Sequence, residues 1–365
     1  MERLTCINGL RGIAILLVIV HHCAFFTTLQ NDPVWMRNPL AALTTNGWTG
    51  VNLFFVLSGF VLFLPYARGK RHVARWRDAL VFFHHRALRL LPLFYFIGCV
   101  ALVLAAGSLD PAKFARAAYQ LLTFAFATNR YGFMPAVNPP LWSLGVEVLF
   151  SLAFPAIVVA FARLGMLRVL AAVLVAALAA RIFGRLWSDQ LAGPNFFADN
   201  IFGRLDEFVI GMVIAQYYAT GKLPHWAPWL LAPGVALIAA AWLGFHYSIG
   251  VVPPHVTLSL LNLVLDGGIA ATMLALLSGC RTANAVLAFP PLQVAGMMCY
   301  SLYVWHFIVL GYVAPAQGRA VALLLVAALA AFTYRFIEFR NVPDWRTLFL
   351  IPTRIAQAGK AAQPR

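Results

Sequence analysis

The stretch INGLRGIAILLVIVHHCAFFTT, residues 7–28, is apolar along most of its length and contains one arginine, Arg11, and two histidines, His21 and His22. About 20 consecutive apolar residues are enough for an α-helix to cross the hydrocarbon core of a bilayer. Windows of this kind recur along the chain, at 7–28, 47–65, 86–106, 140–162, 167–187, 198–219, 228–246, 256–279, 291–314 and 319–339. They predict an all-α integral membrane protein, a bundle of about ten transmembrane helices.

The composition of the 365-residue chain supports this class and excludes several others. Hydrophobic residues make up 62% of the chain and charged residues 11%, whereas roughly a quarter of a soluble domain is charged. The five cysteines form no CxxC pair and no metal-like spacing, so we expect free thiols and no metal. Arg11 interrupts the first apolar stretch and no A-x-A site follows it, so we expect a retained first span rather than a cleaved signal peptide.

The basic residues predict the orientation. Ten spans put both termini on one side, and assigning that side to the cytoplasm places most of the 27 Lys and Arg residues there. We therefore expect cytoplasmic N- and C-termini in a bacterial-type inner (plasma) membrane. One transmembrane domain is expected over residues 1–340, with a short basic cytoplasmic tail over 341–365. Because this bias explains much of the net charge of +15, no nucleic-acid partner is expected.

The first span places two ionisable side chains where lipid would be expected. Such groups are costly in a bilayer, and they usually face a cavity or a partner. Arg11 and His22 are eleven residues apart, about 20° beyond three full turns, so they share one helix face about 16 Å apart. The two side chains would line one polar track. The alternative is a snorkelling Arg11 and a His22 that is hydrogen-bonded for structural reasons.

The fourth span begins with NPPLWSLGVE, residues 138–147, in which the prolines suit a first helical turn. Ser143 and Glu147 are four residues apart and share a face. A carboxylate in so apolar a helix must be neutral, paired or solvated. We expect Glu147 to pair with His22, and the structural alternative is an ion pair with an arginine of another helix.

The loop 66–89 is the most basic region, and it ends in Arg86 and Arg89, which point the same way. Two guanidiniums at a membrane entrance suit a phosphate-bearing ligand. Contact with anionic lipid is the alternative, and we expect it mainly of Arg68 to Arg77. Segment 111–130 is too polar for a span, so we expect an amphipathic surface helix there. In the eighth span Asp266 is isolated in the sequence.

Taken together, these segments resemble the acyltransferase 3 family of polytopic membrane acyltransferases, over about residues 4–340. Six motifs in the family order carry the resemblance: NGLRG at 8–12 followed by His22, GVNLFFVLSGF at 50–60, Arg86-x-x-Arg89, WSLGVE at 142–147, GRLDEFVIGM at 203–212 and YSLYVWH at 300–306. The chain departs from the family at Asn8 and Asn52, where the family often has Asp. We also expect it to lack the extracytoplasmic hydrolase-like domain of some members.

The resemblance implies an acyl-CoA donor, usually acetyl-CoA, and an acceptor hydroxyl on a glycan or glycolipid of the cell surface. Membrane lipids are expected to surround the protein. Carried over residue by residue, it assigns donor binding to Arg11, Arg86 and Arg89 and chemistry to His22 and Glu147. In the motifs at 142–147 and 300–306 we further expect substrate binding by Trp142, Ser143, Tyr300 and His306. We expect His22 to take the proton of the acceptor hydroxyl with Glu147 orienting its ring. A covalent acyl-histidine is the alternative.

Other functions remain open at this stage. A proton- or anion-coupled transporter would also place Arg, His and Glu within spans, although no pseudo-symmetric halves are evident in the sequence. A flippase-like or structural partner of a glycan assembly complex is a further hypothesis. The acceptor could equally be a small secreted glycoside instead of a polysaccharide.

Overall fold

The computed structural model describes residues 4–26, 33–187, 195–247 and 254–338, and within these ranges it contains helices and no β-strand. The predicted tail, 341–365, lies outside the described residues. The α-helices in chain order are α1 Thr5–Phe25, α2 Pro33–Met36, α3 Ala41–Thr45, α4 Gly50–Ala67, α5 Trp76–Ala105, α6 Pro111–Thr123, α7 Trp142–Leu164, α8 Met166–Trp187, α9 Phe196–Asp199, α10 Ile201–Ala219, α11 Leu231–Tyr247, α12 Pro254–Leu277, α13 Arg281–Leu287, α14 Pro290–Met297, α15 Cys299–Gln317 and α16 Arg319–Thr333.

Nine helical segments in the described ranges are long and apolar enough to cross a membrane, which confirms the all-α membrane bundle. They match nine of the ten predicted windows. The remaining window, 198–219, forms α10. Arg204, Asp206 and Glu207 make this helix more charged than an ordinary span. It packs mainly against α4 and α8, so protein surrounds its polar residues.

Two glycines allow the close packing of α4 and α10. A Cβ atom at Gly59 would collide with the carbonyl oxygen of Phe208, and one at Gly211 would collide with that of Val56. Small residues at such crossings let helix backbones approach closely in a membrane, where apolar surface alone provides little drive for association. This contact fixes the charged face of α10 against the bundle.

The two ends of the described chain meet at one end of the bundle. The Gln293 side chain donates a hydrogen bond to the carbonyl oxygen of Thr5 at 2.9 Å, so the start of α1 lies beside α14. Ser301, in the first turn of α15, donates to the Glu338 carboxylate at 2.9 Å. The start of α1 and the end of the last helical segment, Arg319–Glu338, therefore lie on the same side of the bundle, as expected when α10 is a tenth crossing beside the nine. That this side is cytoplasmic stays a prediction.

The polar segment 111–130 forms a helix only in its first part, α6. Asp110 caps the helix by accepting a hydrogen bond from the backbone N–H of Lys113 at 2.9 Å, and this bond lowers the pKa of the Asp110 carboxyl. Ala117 and Leu121 are buried while Lys113 and Arg116 are exposed, which confirms the amphipathic surface helix. It ends before Phe124, whose φ of 57° is left-handed and ends the helix.

Candidate active site

A cavity of about 430 Å³ lies among α1, α4, α5, α7 and α15. We call it the arginine cavity, because four arginines line it: Arg11 of α1, Arg86 and Arg89 of α5, and Arg71 of the loop between α4 and α5. Of the nine site residues predicted from the sequence, it is lined by Arg11, Arg86, Arg89, Ser143, Glu147 and Tyr300. The rest of its wall is largely apolar and includes Val51, Phe54, Phe55, Val61, Leu62 and Phe82. Such a mixture suits a ligand with both an anionic part and an apolar part.

The long helix α5 positions Arg86 and Arg89. Asp78 stabilises the first turn of this helix, since its carboxylate accepts hydrogen bonds from the backbone N–H groups of Ala74 and Arg75, both at 2.9 Å. At 1.5 Å per residue, α5 is about 45 Å long, which exceeds the roughly 30 Å hydrocarbon core. The helix is therefore longer than a perpendicular crossing requires, and the two arginines lie about 15–20 Å from its start, in the part of α5 that lines the cavity.

Glu147 is paired with Arg86, and the predicted pairing with His22 is wrong. Arg86 Nη2 donates to Glu147 Oε1 at 2.7 Å, and Ser58 Oγ donates to the same oxygen at 3.2 Å. Arg86 Nε also donates to Ser151 Oγ at 3.1 Å. A guanidinium satisfies a buried carboxylate better than a neutral imidazole, because the hydrogen bond is charge-assisted at both ends. The structural alternative considered for Glu147 is the one observed.

Arg89 lies near a second carboxylate, Glu338, which is not among the site residues predicted from the sequence. Arg89 Nη2 is 3.9 Å from Glu338 Oε1, and the Glu338 side chain is 1% exposed. Ser301 donates to its other oxygen. Glu338 was identifiable in the sequence by its position at the end of the last apolar window. A carboxylate there is as costly to place in a membrane as Glu147 is in its own helix.

His22 and His306 form a pair outside the arginine cavity, at the contact between α1 and α15. His22 Nδ1 lies 3.2 Å from His306 Nε2, and the ring centroids are 4.8 Å apart. His21 points elsewhere, with Nδ1 2.9 Å from the carbonyl oxygen of Thr44 in α3. The two adjacent histidines therefore face different helices, as a turn of about 100° per residue predicts.

Tyr303 connects the arginine cavity to the histidine pair. It lines the cavity, and its hydroxyl donates to the carbonyl oxygen of Pro140 at 2.8 Å. The hydroxyls of Tyr303 and Ser143 are 2.7 Å apart. The carbonyl oxygen of Tyr303 is 2.6 Å from His306 Nδ1. One residue thus contacts both the cavity and the histidines.

Two of the predicted substrate-binding residues have their contacts inside the protein. The Trp142 ring packs against Phe55 and Phe133, with centroids 6.4 Å and 5.5 Å away. His306 is fully buried against His22. Tyr300 lines the cavity, and its hydroxyl donates to the carbonyl oxygen of Leu90 at 2.7 Å, which ties α15 to α5.

A separate buried ion network joins α8, α10 and α12. Arg181 Nη2 lies 2.9, 3.2 and 3.3 Å from carboxylate oxygens of Asp206, Glu207 and Asp266. Asp266, isolated in the sequence, is therefore paired in the fold. These three acids lie close enough together to hold a metal ion, but the guanidinium occupies the space among them. Arg204 adds pairs with Glu207 at 2.8 Å and with Asp199.

The departures from the family at Asn8 and Asn52 both have structural partners. Asn52 Nδ2 donates to Glu207 Oε1 at 3.0 Å, on the edge of the ion network. Asn8 Nδ2 donates to the carbonyl oxygen of Gln293 at 2.8 Å, where α1 meets α14. An amide donor stabilises these contacts without adding a further buried charge.

Comparison with known proteins identifies relatives of similar sequence. The chain is 24% identical to the O-acetyltransferase OatA of Staphylococcus aureus over 373 residues, which is 91% of this chain and 56% of that protein. It thus spans little more than half the length of this relative. It is also 28% identical to the exopolysaccharide production protein ExoZ of Rhizobium meliloti, over 79% of this chain and 84% of ExoZ. No solved structure matches the chain. A family model described as an acyltransferase domain matches residues 4–337, nearly the whole chain, so the protein belongs to the acyltransferase 3 family.

Proposed function

We propose that this protein is a membrane O-acyltransferase that moves an acyl group from acyl-CoA to a hydroxyl of a cell-surface or exported glycan. The observation that carries the proposal is the convergence of Arg11, Arg86 and Arg89 on one membrane cavity. Family membership supports the reaction class. The name of OatA supports acetyl as the acyl group, and that of ExoZ supports a polysaccharide acceptor.

The arginine cavity is the proposed donor site. Guanidiniums form paired, charge-assisted hydrogen bonds with phosphate oxygens, and CoA has several phosphates. Arg86 and Arg89 would hold this charged end, with Arg86 aimed by Glu147. Arg11 comes from a different helix and would hold the pantetheine arm or a phosphate. The apolar wall formed by residues such as Phe54 and Leu62 would cover the uncharged arm.

His22 is the proposed group for chemistry. Acyl transfer from a thioester to a hydroxyl needs a base for the incoming oxygen, and an imidazole has the right basicity near neutral pH. His22 lies beyond Tyr303 from the cavity, next to His306. With the base in this position, the acyl donor and the acceptor would approach it from different sides of the protein. Glu147 acts on the donor side in this proposal, since its partner is Arg86.

The acceptor sugar is proposed to approach the histidine pair from the membrane face opposite the arginine cavity. Ser143 and Tyr300 line the cavity and would contact the acyl donor near its reactive end. Trp142 supports this wall from behind through its contact with Phe55. His306 contacts His22 directly, so in this proposal it lies beside the reacting group.

Purified protein in nanodiscs, radiolabelled acetyl-CoA and a polysaccharide acceptor test the proposal. We expect acetyl transfer by the wild type, with a rate about 10² to 10⁴ times lower in His22→Ala, the usual contribution of a general base. His21→Ala is the matched control and should transfer acetyl at nearly the wild-type rate. Movement of a labelled substrate across the membrane without thioester cleavage would instead identify a transporter. Mass spectrometry of surface glycans from cells with and without the gene would identify the acyl group and acceptor.

A further inference from the structure

The histidine pair has a hydrogen-bond pattern that fixes where its protons are. His306 is fully buried, so its two ring nitrogens depend on protein partners. Its Nδ1 lies 2.6 Å from the carbonyl oxygen of Tyr303. A carbonyl oxygen only accepts hydrogen bonds, so Nδ1 of His306 must carry the proton. In a neutral imidazole the other nitrogen is then an acceptor, and His306 Nε2 directs a lone pair towards His22.

The contacts of His22 likewise determine which of its ring nitrogens carries the proton. His22 Nδ1 lies 2.9 Å from the carbonyl oxygen of Val18 and 3.2 Å from His306 Nε2. Both neighbours are acceptors, so Nδ1 must be the protonated nitrogen and shares its proton between them. The opposite tautomer would direct the Nδ1 lone pair at two acceptors and leave the His306 nitrogen without a donor. Leaving a buried acceptor unpaired in this way is energetically costly.

We propose that His306 is a positioning residue that holds His22 in the tautomer with a free lone pair on Nε2, which makes Nε2 the reacting atom. This inference rests on the proposed acyl transfer. It changes the role of His306, which was expected from the sequence to bind substrate. His22 is only partly buried, and no hydrogen-bond partner of its Nε2 is found among the described residues. Nε2 is therefore available to a hydroxyl, while Nδ1 is committed to the protein.

The step that follows uses only the two substrates and His22. The acceptor O–H bond breaks, its proton goes to His22 Nε2, and the oxygen forms a bond to the acyl carbon. The carbon–sulfur bond then breaks, and the proton on Nε2 passes to the departing CoA sulfur. In the imidazolium stage Nδ1–H still donates to Val18 and His306, which stabilises the positive charge. If an acyl-histidine forms instead, Nε2 bonds to the thioester carbon and the carbon–sulfur bond breaks, which releases the CoA thiolate. The acceptor oxygen then bonds to the acyl carbon, the carbon–Nε2 bond breaks, and the hydroxyl proton goes to the thiolate.

Tyr303 connects the His22–His306 pair to the proposed donor site. Its carbonyl oxygen fixes the proton of His306, and its side chain lines the arginine cavity. The hydroxyl is in turn held by Pro140 and Ser143 at the start of α7. The orientation of His22 is thus set by a connected series of contacts that begins at the cavity wall.

Two substitutions of His306 separate positioning from packing. His306→Phe keeps a ring of similar size but has no acceptor for His22 Nδ1, and His306→Gln restores an acceptor oxygen. We expect kcat to fall about tenfold to a hundredfold in His306→Phe, part of the general-base contribution, with the donor KM unchanged. His306→Gln should recover most of the lost kcat. Equal losses in both variants at equal thermal stability, or a His306→Phe enzyme as fast as the wild type, would overturn the proposal.

Nitrogen NMR of protein with ¹⁵N-labelled histidine tests the tautomer without any assay of activity. The wild type should show His22 protonated at Nδ1, and His306→Phe should show a smaller share of this tautomer, because the Val18 carbonyl oxygen then remains as the acceptor for Nδ1–H. His22→Asn identifies the His22 signals by their loss. Protonation of His22 at Nε2 in the wild type would refute the inference even if acyl transfer is confirmed. Conversely, absence of acyl transfer in a wild type with the expected tautomer would refute the proposed function alone.

Discussion

Arg86 Nη2 lies 2.7 Å from Glu147 Oε1, and this ion pair joins α5 to α7 in the wall of the arginine cavity. Both side chains are largely shielded, with exposed fractions of 10% and 19%. A carboxylate selected from the sequence for chemistry thus holds an arginine selected for donor binding. Glu147, expected to take part in chemistry, and Arg86, expected to bind the donor, therefore form one ion pair.

The Arg86–Glu147 pair predicts a specific pattern of stability. Arg86→Ala leaves the Glu147 carboxylate with only Ser58 as a side-chain donor, so we expect a loss of about 3 kcal/mol in the free energy of unfolding. Adding Glu147→Gln removes the unpaired charge and should restore part of that loss. Denaturant unfolding in mild detergent measures both changes. Fully additive losses in the double variant would show that the pair is not coupled.

The donor assignment predicts a difference between whole and truncated donors. Arg86→Ala and Arg89→Ala should each weaken binding of acetyl-CoA about tenfold to a hundredfold, since each charge-assisted contact is worth about 1.5–3 kcal/mol. The effect should be much smaller for acetyl-pantetheine, which lacks the nucleotide phosphates. Donor KM values and competition by CoA measure it. Arg68→Ala, in the basic loop but not in the cavity lining, is the control and should bind both donors normally.

The different contacts of the two adjacent histidines predict different outcomes of their removal. His21→Ala loses one hydrogen bond to the Thr44 carbonyl oxygen, so we expect about 1 kcal/mol of lost stability and little loss of turnover. His22→Ala should lose turnover with a comparable change in stability. Parallel thermal melts and acetyl-transfer rates make the comparison. If His21→Ala abolished transfer in a folded protein while His22→Ala did not, the assigned face of α1 would be incorrect.

The ion network of α8, α10 and α12 predicts a stability effect without a direct effect on chemistry. Arg181→Met leaves Asp206, Glu207 and Asp266 without their shared cation, and we expect a loss of about 3–5 kcal/mol. Arg181→Lys retains the charge but reaches fewer of the three acids, so its loss should be smaller. Any protein that folds should keep its acetyl-CoA KM. A large KM change at unchanged stability would connect the network to the donor site instead.

The sequence by itself determined the membrane-spanning helices and six of the residues that line the cavity, Arg11, Arg86, Arg89, Ser143, Glu147 and Tyr300. Hydrophobic windows suffice for the helices, because a chain in lipid must satisfy its backbone hydrogen bonds internally. The cost of placing charge in lipid was also enough to select Arg11 and Glu147 as residues that need a polar environment. These properties are local, since each depends on a single segment and its surrounding solvent.

Only the tertiary structure decided which polar groups meet. Glu147 pairs with Arg86 and not with His22, His22 pairs with His306, and Asp266 pairs with Arg181. Partner choice depends on the rotation and crossing of helices far apart in the chain, which the glycines of α4 and α10 and many apolar contacts set together. Hydropathy does not contain that information, because every apolar face of a helix is equally compatible with lipid or with another helix.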